Sequence, residues 1–422
     1  MAYTAPRGTV DLLPQDTRKW QYLEQLLRTI ADLYNVKEIR PPMFEHTELF
    51  NRSVGDTSDI VTKEMYTFAD KKGRSLTLRP EGTAGVARAY VENKLFAAAD
   101  KPVKLYYMGP MFRYERPQKG RQRQFHQFGV EMLGVEDPAL DVEAMLMAVT
   151  IVQSLGLKNV RLVVNTLGDA KSRQAHKEAL KKHFESYLGE LCHDCQERFE
   201  KNPLRILDCK VDHDHPAMKN APRTIDYLTD EAKAYFDQVL ALLDDLEVSY
   251  VVDPNLVRGL DYYCHVVFEV ISDDPILGAQ STLGGGGRYN SLIEELGGPA
   301  TPGIGFAFGM ERLVIALGDQ LEEEEEHLDV YLMPLGEKGK NLAVQIQAML
   351  RANGLSCDMD YQNRSMKAQF KTVDRMKANF AIIIGDDEVD QEVVNIKDTR
   401  TRNQETVALE DILAYLEKKM EE

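Results

Sequence analysis

Arg113, Arg258 and Arg312 each stand where a strand-like or helical run meets glycine or a charged turn. Their contexts are FRYE at 112–115, LVRGLDYY at 256–263 and GIGFAFGMERL at 303–313. A guanidinium is always charged, and its planar fork matches carboxylate and phosphate. Three such groups on structured elements could clamp a polyphosphate, and each could equally pair with a surface carboxylate. Two acids add to them. Glu81 lies in TLRPEGT, and Glu131 lies in the apolar run FGVEML, where a bare carboxylate would be costly to bury. Glu131 therefore needs a partner, either a cationic ligand group or an internal arginine. Gly284 to Gly287 permit close backbone approach. No Gly-Lys-Ser/Thr follows them and the spacing is not Gly-x-Gly-x-x-Gly, which excludes a phosphate-binding Walker loop and a dinucleotide fingerprint.

A second group of residues is basic. FRYERPQKGRQRQFHQFGVE, residues 112–131, holds four arginines, a lysine and a histidine against two glutamates, in a chain of formal net charge −17. The overall field repels phosphate, so nucleic acid would have to be met by local basic patches such as this one. A third group is Cys192-x2-Cys195, followed by Cys209, His213 and His215. This is thiolate and imidazole content near zinc-like spacing. The fourth ligand is ambiguous and a second Cys-x2-Cys is missing, so reduced cysteines in a small helical subdomain are the preferred reading.

The elements that must carry these groups can be read from periodicity. Asp16 to Tyr34 is helical, with Trp20, Leu23, Leu27, Ile30 and Tyr34 on one face. EIRPPMFEHTELF reads as a strand interrupted by Pro41 and Pro42. Leu76 to Arg79, Lys104 to Met108 and Phe125 to Met132 read as strands, the last two joined by the charged loop. Asp137 to Leu155 reads as an amphipathic helix and VRLVVNTLG as a strand. From about Ala170 charged helices and the Cys/His stretch look like an insertion, before strands resume at Val248 to Val252 and Tyr262 to Ile271. LGGGGRYNSLIEELGG reads as a glycine turn and a helix, and GIGFAFGMERLVIAL as a glycine-rich strand entering a helix. Five glutamates at 322–326 suggest a solvated linker. Beyond them strands and helices alternate, as in a small α/β domain with a partly parallel sheet. Arg364, Lys367, Lys371 and Arg375 fall on one face of a helix there.

Length, 422 residues, suits two or three domains. No apolar run approaches the ~20 residues of a membrane span, and the N-terminus lacks a signal-peptide layout. Five unevenly spread cysteines do not suggest a disulfide framework. The expectation is a cytoplasmic protein without membrane association.

Six of these segments, in order, resemble the histidyl-tRNA synthetases, a class II aminoacyl-tRNA synthetase family, in their bacterial type. Besides those six, PRGTVDLLP at the N-terminus is similar to the family's opening signature. RPPMFEHTELF resembles motif 1, FRYERPQKGRQRQFHQFGVE motif 2 and GIGFAFGMERL motif 3. TLRPEGT, LVRGLDYY and LGGGGRY resemble segments that confer histidine specificity. The resemblance implies an α+β architecture: an antiparallel-sheet catalytic domain at 1–320, interrupted by a helical insertion at about 170–228. An acidic linker at 321–328 and an α/β anticodon-binding domain at 329–422 complete it. It implies activation of L-histidine by ATP, held with Mg2+ and without a prosthetic group, then transfer to the 3′ end of tRNA(His) by a homodimer. Arg113 and Arg258 are implied as catalytic, and Arg113, Arg121 and Arg312 as ATP-binding. Glu81, Thr83, Gln127, Glu131, Tyr262, Tyr263 and Tyr289 are implied to hold histidine, and Arg116, Lys119 and Arg123 to meet tRNA. No metal ligand is implied firmly; Cys192, Cys195 and Cys209 remain a weak zinc candidate. The alternative is a catalytically inactive regulatory paralogue. Such paralogues lack the C-terminal domain and degrade the arginine motif, and this chain has both.

Overall fold

The computed structural model describes residues 3–54, 58, 60–209, 211–258, 260, 262–278, 281–318 and 327–421. The chain forms two compact units, Met1–Leu321 and Glu322–Glu422. The glutamate run expected as a linker, and Gly259 and Asp261 of LVRGLDYY, lie outside the described residues. Among the described residues no helix is long and apolar enough to cross a membrane.

The strands of the first unit, in chain order, are β1 Lys37–Glu38, β2 Phe44–His46, β3 Tyr66–Ala69, β4 Ser75–Leu78, β5 Val103–Phe112 and β6 Gln124–Leu133. They continue as β7 Val160–Thr166, β8 Tyr250–Val252, β9 Cys264–Ser272, β10 Thr282–Tyr289 and β11 Gly303–Gly309. Eight of them form one sheet in the order β1-β5-β6-β11-β10-β9-β7-β8, and β2-β4-β3 form a small side sheet. The large sheet is antiparallel from β5 to β7, with β1 and β8 added parallel at its edges.

Alternation along β6 explains how the sheet divides core from site. Phe128, Val130 and Met132 point into the main core, so Gln127, Gly129 and Glu131 must point to the opposite face. The core face is covered by helix Pro14–Leu33, through Trp20, Leu23, Leu27 and Ile30, and by helix Pro138–Ser154. The latter starts where the Asp137 side chain accepts the Ala139 N–H at 2.8 Å and proline occupies the first turn. It was expected to be amphipathic. It is instead buried nearly all round, because helix Pro14–Leu33, helix Asp230–Asp245 and the sheet surround it. Its Asp141 pairs with Arg288 of β10, and both side chains are fully buried.

Three sequence expectations need correction. LGGGGRY is not a turn: Gly284 to Gly287 lie inside β10, hydrogen-bonded to β9 and β11 on both sides. The glycines are there because the neighbouring chains are close. A Cβ at Gly285 would stand 3.0 Å from the Arg258 guanidinium, and one at Gly286 would strike the Gly305 carbonyl. TELF is not part of a strand but opens helix Thr47–Val54, whose Phe50 is buried with Leu49 and Ile60. Arg364 lies before helix Met366–Arg375 rather than on its face, and is drawn back to Asp360.

The second unit contains β12 Val330–Pro334, β13 Cys357–Met359, β14 Phe380–Ile384, β15 Val393–Asp398 and β16 Gln404–Ala408, in the order β13-β12-β14-β15-β16. The first three are parallel and the last two antiparallel, the mixed sheet expected. Val330, Leu332, Phe380 and Ile382 pack under helix Gly336–Ala352. Lys367, Lys371 and Arg375 are exposed along the next helix.

Candidate active site

The face of the sheet opposite the main core holds two joined cavities. The smaller, of about 90 Å³, is lined by Glu81, Thr83, Gln127, Glu131, Tyr262 and Tyr263 among others. The larger, of about 490 Å³, is lined by Arg121, Arg312, Glu115 and Glu269 among others. Arg113, Gln127 and Arg258 line both, so two guanidinium groups stand where the cavities meet.

The small cavity is built around Glu131, which is 2 % exposed. Among the described residues no lysine or arginine pairs with it. Its two oxygens instead accept hydrogen bonds from hydroxyls, Thr83 Oγ1–H at 2.6 Å and the Tyr289 phenol. Burial pushes its carboxyl up to about 8, against the opposing effect of those two bonds; nearby Glu81 pushes it further up. Glu81 is also pushed up by burial, partly offset by the backbone N–H groups of Ala84 and Thr83 that it accepts at 2.8 and 2.7 Å. Those amides open helix Thr83–Glu92, where unpaired N–H groups favour an anion. Glycine makes room for the carboxylate: a Cβ at Gly305 of β11 would strike Glu131 itself. Tyr262 packs against Tyr263 and Tyr289, with ring centroids 4.7 and 5.5 Å apart. Gln127 Oε1 is buried and has no hydrogen-bond partner among the described residues. A buried acceptor of this kind costs energy until a donor arrives.

The large cavity is lined by four arginines and four acids, Arg113, Arg121, Arg258 and Arg312 against Glu115, Asp208, Glu269 and Glu311. Arg113 Nε donates to the Pro80 carbonyl at 2.8 Å, and its guanidinium lies 5.2 Å from the Phe125 ring centroid. Arg258 pairs with Glu269, whose other oxygen accepts Thr282 Oγ1–H at 3.1 Å. Burial opposes the charge on Arg258, but Glu269, together with Tyr263 and Tyr262, outweighs it and the guanidinium is held protonated more firmly than usual. Arg312 reaches the Thr282 carbonyl at 2.5 Å and the Gly120 carbonyl at 3.3 Å. Burial, then the nearby Arg121 cation, lowers it to about 10. A site that disfavours its own cations in this way gains from an added anion.

The basic loop between β5 and β6 does not act as one patch. Arg121 bridges to Glu115 at 3.2 Å inside the cleft. The Arg123 guanidinium lies 3.9 Å from the Tyr114 ring centroid, and its backbone N–H donates to the Gly8 carbonyl at 2.7 Å. Gly8 has φ +87° and a Cβ there would press on the Arg123 side chain, so PRGTVD is fitted against this loop. Arg116 and Lys119 are the exposed cations of the loop.

Sequence reasoning missed Glu269, although a glutamate in the apolar run HVVFEVIS gave the same signal that marked Glu131. It also missed Tyr107, whose ring fills the space left by Gly82 and Gly129; nothing local announces that role. A third omission is a hollow of about 380 Å³ behind Arg258, lined by Arg173, Lys177, Lys201 and Arg205 and by no described acid. His213 and His215 do not converge with the cysteines; they pair with Asp214 and Glu190.

A family model described as histidyl-tRNA synthetase matches residues 8–313, and one described as an anticodon binding domain matches 329–419. The histidine--tRNA ligase of Oceanobacillus iheyensis is 54% identical over 100% of this chain and 98% of its own. That of Bacillus subtilis (strain 168) is 54% identical over 98% of each chain. The crystal structure of apo Staphylococcus aureus histidyl-tRNA synthetase superposes with a TM-score of 0.83 at 46% identity, covering 98% of this chain and 100% of that one. With a family model over most of its length and full-length relatives above half identity, this chain belongs to the histidyl-tRNA synthetase family.

Proposed function

We propose that the small cavity holds histidine, the large one ATP, and that Arg113 and Arg258 act at their junction. The observation that carries this reading is the shared lining: both guanidinium groups face both cavities, where a carboxylate and an α-phosphate would have to meet. A histidine carboxylate oxygen attacks the ATP α-phosphorus in line, pyrophosphate leaves, and histidyl-adenylate forms. A terminal ribose hydroxyl of tRNA then attacks the adenylate carbonyl and AMP leaves. Such chemistry depends on positioning and on stabilising developing charge. Arg113 and Arg258 supply that charge at the α-phosphate, and Arg312 with Arg121 hold the outer phosphates. ATP enters as its Mg2+ complex; Glu115 and Glu269 line the same cleft and are oxygen donors of the kind Mg2+ takes.

The ring of the substrate is read by Glu131 with Tyr263, and Tyr262 and Tyr289 back them. The α-amino group is read by Glu81, Thr83 and Gln127, whose vacant acceptor is suited to an N–H donor. Paired polar groups of this sort commonly reject analogues by ~10⁴-fold or more. On the nucleic-acid side, the exposed Arg116 and Lys119 meet the acceptor end. Arg123, engaged by Tyr114 and Gly8, contributes by shaping the loop. The hollow lined by Arg173, Lys177, Lys201 and Arg205 offers further phosphate interactions, and Lys367, Lys371 and Arg375 do so on the second unit.

Met43, Phe44 and Phe68 are exposed on and beside the small sheet of motif 1, with the two rings 6.3 Å apart. An apolar patch of this kind marks an interface, and a two-fold dimer in the cytoplasm is the assembly proposed. Histidine-dependent ATP–pyrophosphate exchange tests the whole reading. Purified protein should exchange with histidine and not with the other amino acids; exchange that is independent of histidine refutes it.

A further inference from the structure

We propose that Cys192, Cys195, Cys209 and Asp212 form a structural zinc site in the inserted segment. The four residues bring one ligand atom each to within 4.8 Å of one another. In sequence they read Cys-x2-Cys-x13-Cys-x2-Asp, two two-residue knuckles with aspartate in the position where a fourth cysteine was missing.

The distances are those of a shared ion. With Zn–S near 2.3 Å, a tetrahedron sets two sulfurs about 3.8 Å apart, and a carboxylate oxygen near 2.1 Å from zinc lies about 3.6 Å from each sulfur. Cys192 Sγ and Cys209 Sγ are 3.7 Å apart, and Cys209 Sγ is 3.6 Å from Asp212 Oδ2. A disulfide would need about 2.05 Å. Backbone amides are already turned to the ligands. The Asp212 N–H points at Cys209 Sγ at 3.4 Å and the Cys192 N–H donates to Asp212 Oδ2 at 3.0 Å. These are the outer interactions that orient metal ligands.

Burial gives an independent argument. Cys195 is fully buried, Cys209 is 5 % exposed and Asp212 only 9 %. No lysine, arginine or histidine among the described residues pairs with Asp212, whose side-chain partners are the three thiols and one amide. Those thiols and the amide hold the carboxylate against the cost of its burial, and a divalent ion would add the cation that the described residues do not supply. Three thiolates and one carboxylate, closed on all four positions, suit zinc in a structural rather than a catalytic role.

The ion has a mechanical consequence. Cys192 opens helix His193–Lys201, and Cys209 follows the short turn Pro203–Ile206. Closing the knuckles on one ion fixes the intervening chain, which carries Lys201 and Arg205 into the cationic hollow and Asp208 to the larger cavity.

The test is metal analysis of the full chain purified under reducing conditions without chelators, alongside Cys195→Ser, Cys209→Ser and Asp212→Cys. The wild type should hold about one zinc per chain. The serine variants should lose at least nine-tenths of it, and Asp212→Cys should keep it. Cobalt(II) taken up by the demetallated wild type should show the visible absorption of a tetrahedral thiolate site, absent in Cys209→Ser. Wild-type protein that holds no zinc, even after anaerobic reconstitution, overturns the proposal. So does zinc retained in Cys209→Ser, which would place the ion elsewhere, or iron found in place of zinc.

Discussion

Replacing Glu131 by glutamine should make the protein more stable at alkaline pH while impairing histidine activation. The folded state holds this carboxyl near 8, against 4.5 for a free glutamate. The unfolded chain therefore ionises first as pH rises, and the wild type loses stability between those two values. At ~1.36 kcal/mol per pH unit, the penalty grows from about 1 kcal/mol at pH 5 to nearly 5 kcal/mol at pH 9. Glutamine does not titrate. It keeps one acceptor for Thr83 or Tyr289 and turns an N–H towards the other, a loss of about 1 kcal/mol at all pH values. Urea unfolding of both proteins at pH 5 and pH 9 should then show the wild type losing up to about 4 kcal/mol more than Glu131→Gln. At pH 5 the two should be nearly equal, and at pH 9 the variant should be the more stable. Pyrophosphate exchange by the variant should fall, with a raised KM for histidine, because the ring meets an amide in place of the Glu131 carboxyl. Parallel stability profiles would mean that Glu131 is ionised in the folded protein at neutral pH, and the account of a neutral buried carboxyl would fail.

Arg258→Ala should slow adenylate formation by roughly 10²- to 10³-fold, the usual loss for one charged stabiliser; single-turnover rates within a few-fold of wild type would sink the assignment. Alanine at Arg116 and Lys119, or at Lys177 and Lys201, should spare pyrophosphate exchange yet weaken tRNA charging. The salt dependence of tRNA binding should flatten by about one slope unit for each phosphate no longer neutralised; equal losses in both assays would assign these residues to ATP instead. Light scattering at micromolar concentration should report twice the 47.9 kDa chain mass, and Phe44→Asp with Phe68→Asp should shift it towards the monomer. A fully active wild-type monomer would refute the dimer.

Much of this architecture was legible in the chain because its signals are local. The strands on either side of the basic loop announce themselves by alternation, and Gly303–Gly309 running into Arg312 reads as strand and helix because the period changes from 2 to 3.6 within a few residues. Glu131 could be singled out because a carboxylate in an apolar run demands an explanation. What the sequence could not supply was anything set by residues far apart. Whether four consecutive glycines make a turn or the middle strand of a sheet depends on β9 and β11 closing in from both sides, and local propensity alone favours the turn. Arg288 and Asp141 are 147 positions apart and become a fully buried pair only when helix Pro138–Ser154 settles on β10. Likewise Glu131 carries no mark of Thr83 and Tyr289 as its partners, or of the burial that sets its charge state. Composition and periodicity fix which faces are apolar and which loops are charged; which polar groups end up excluded from water, and what satisfies them there, is decided by packing between distant segments.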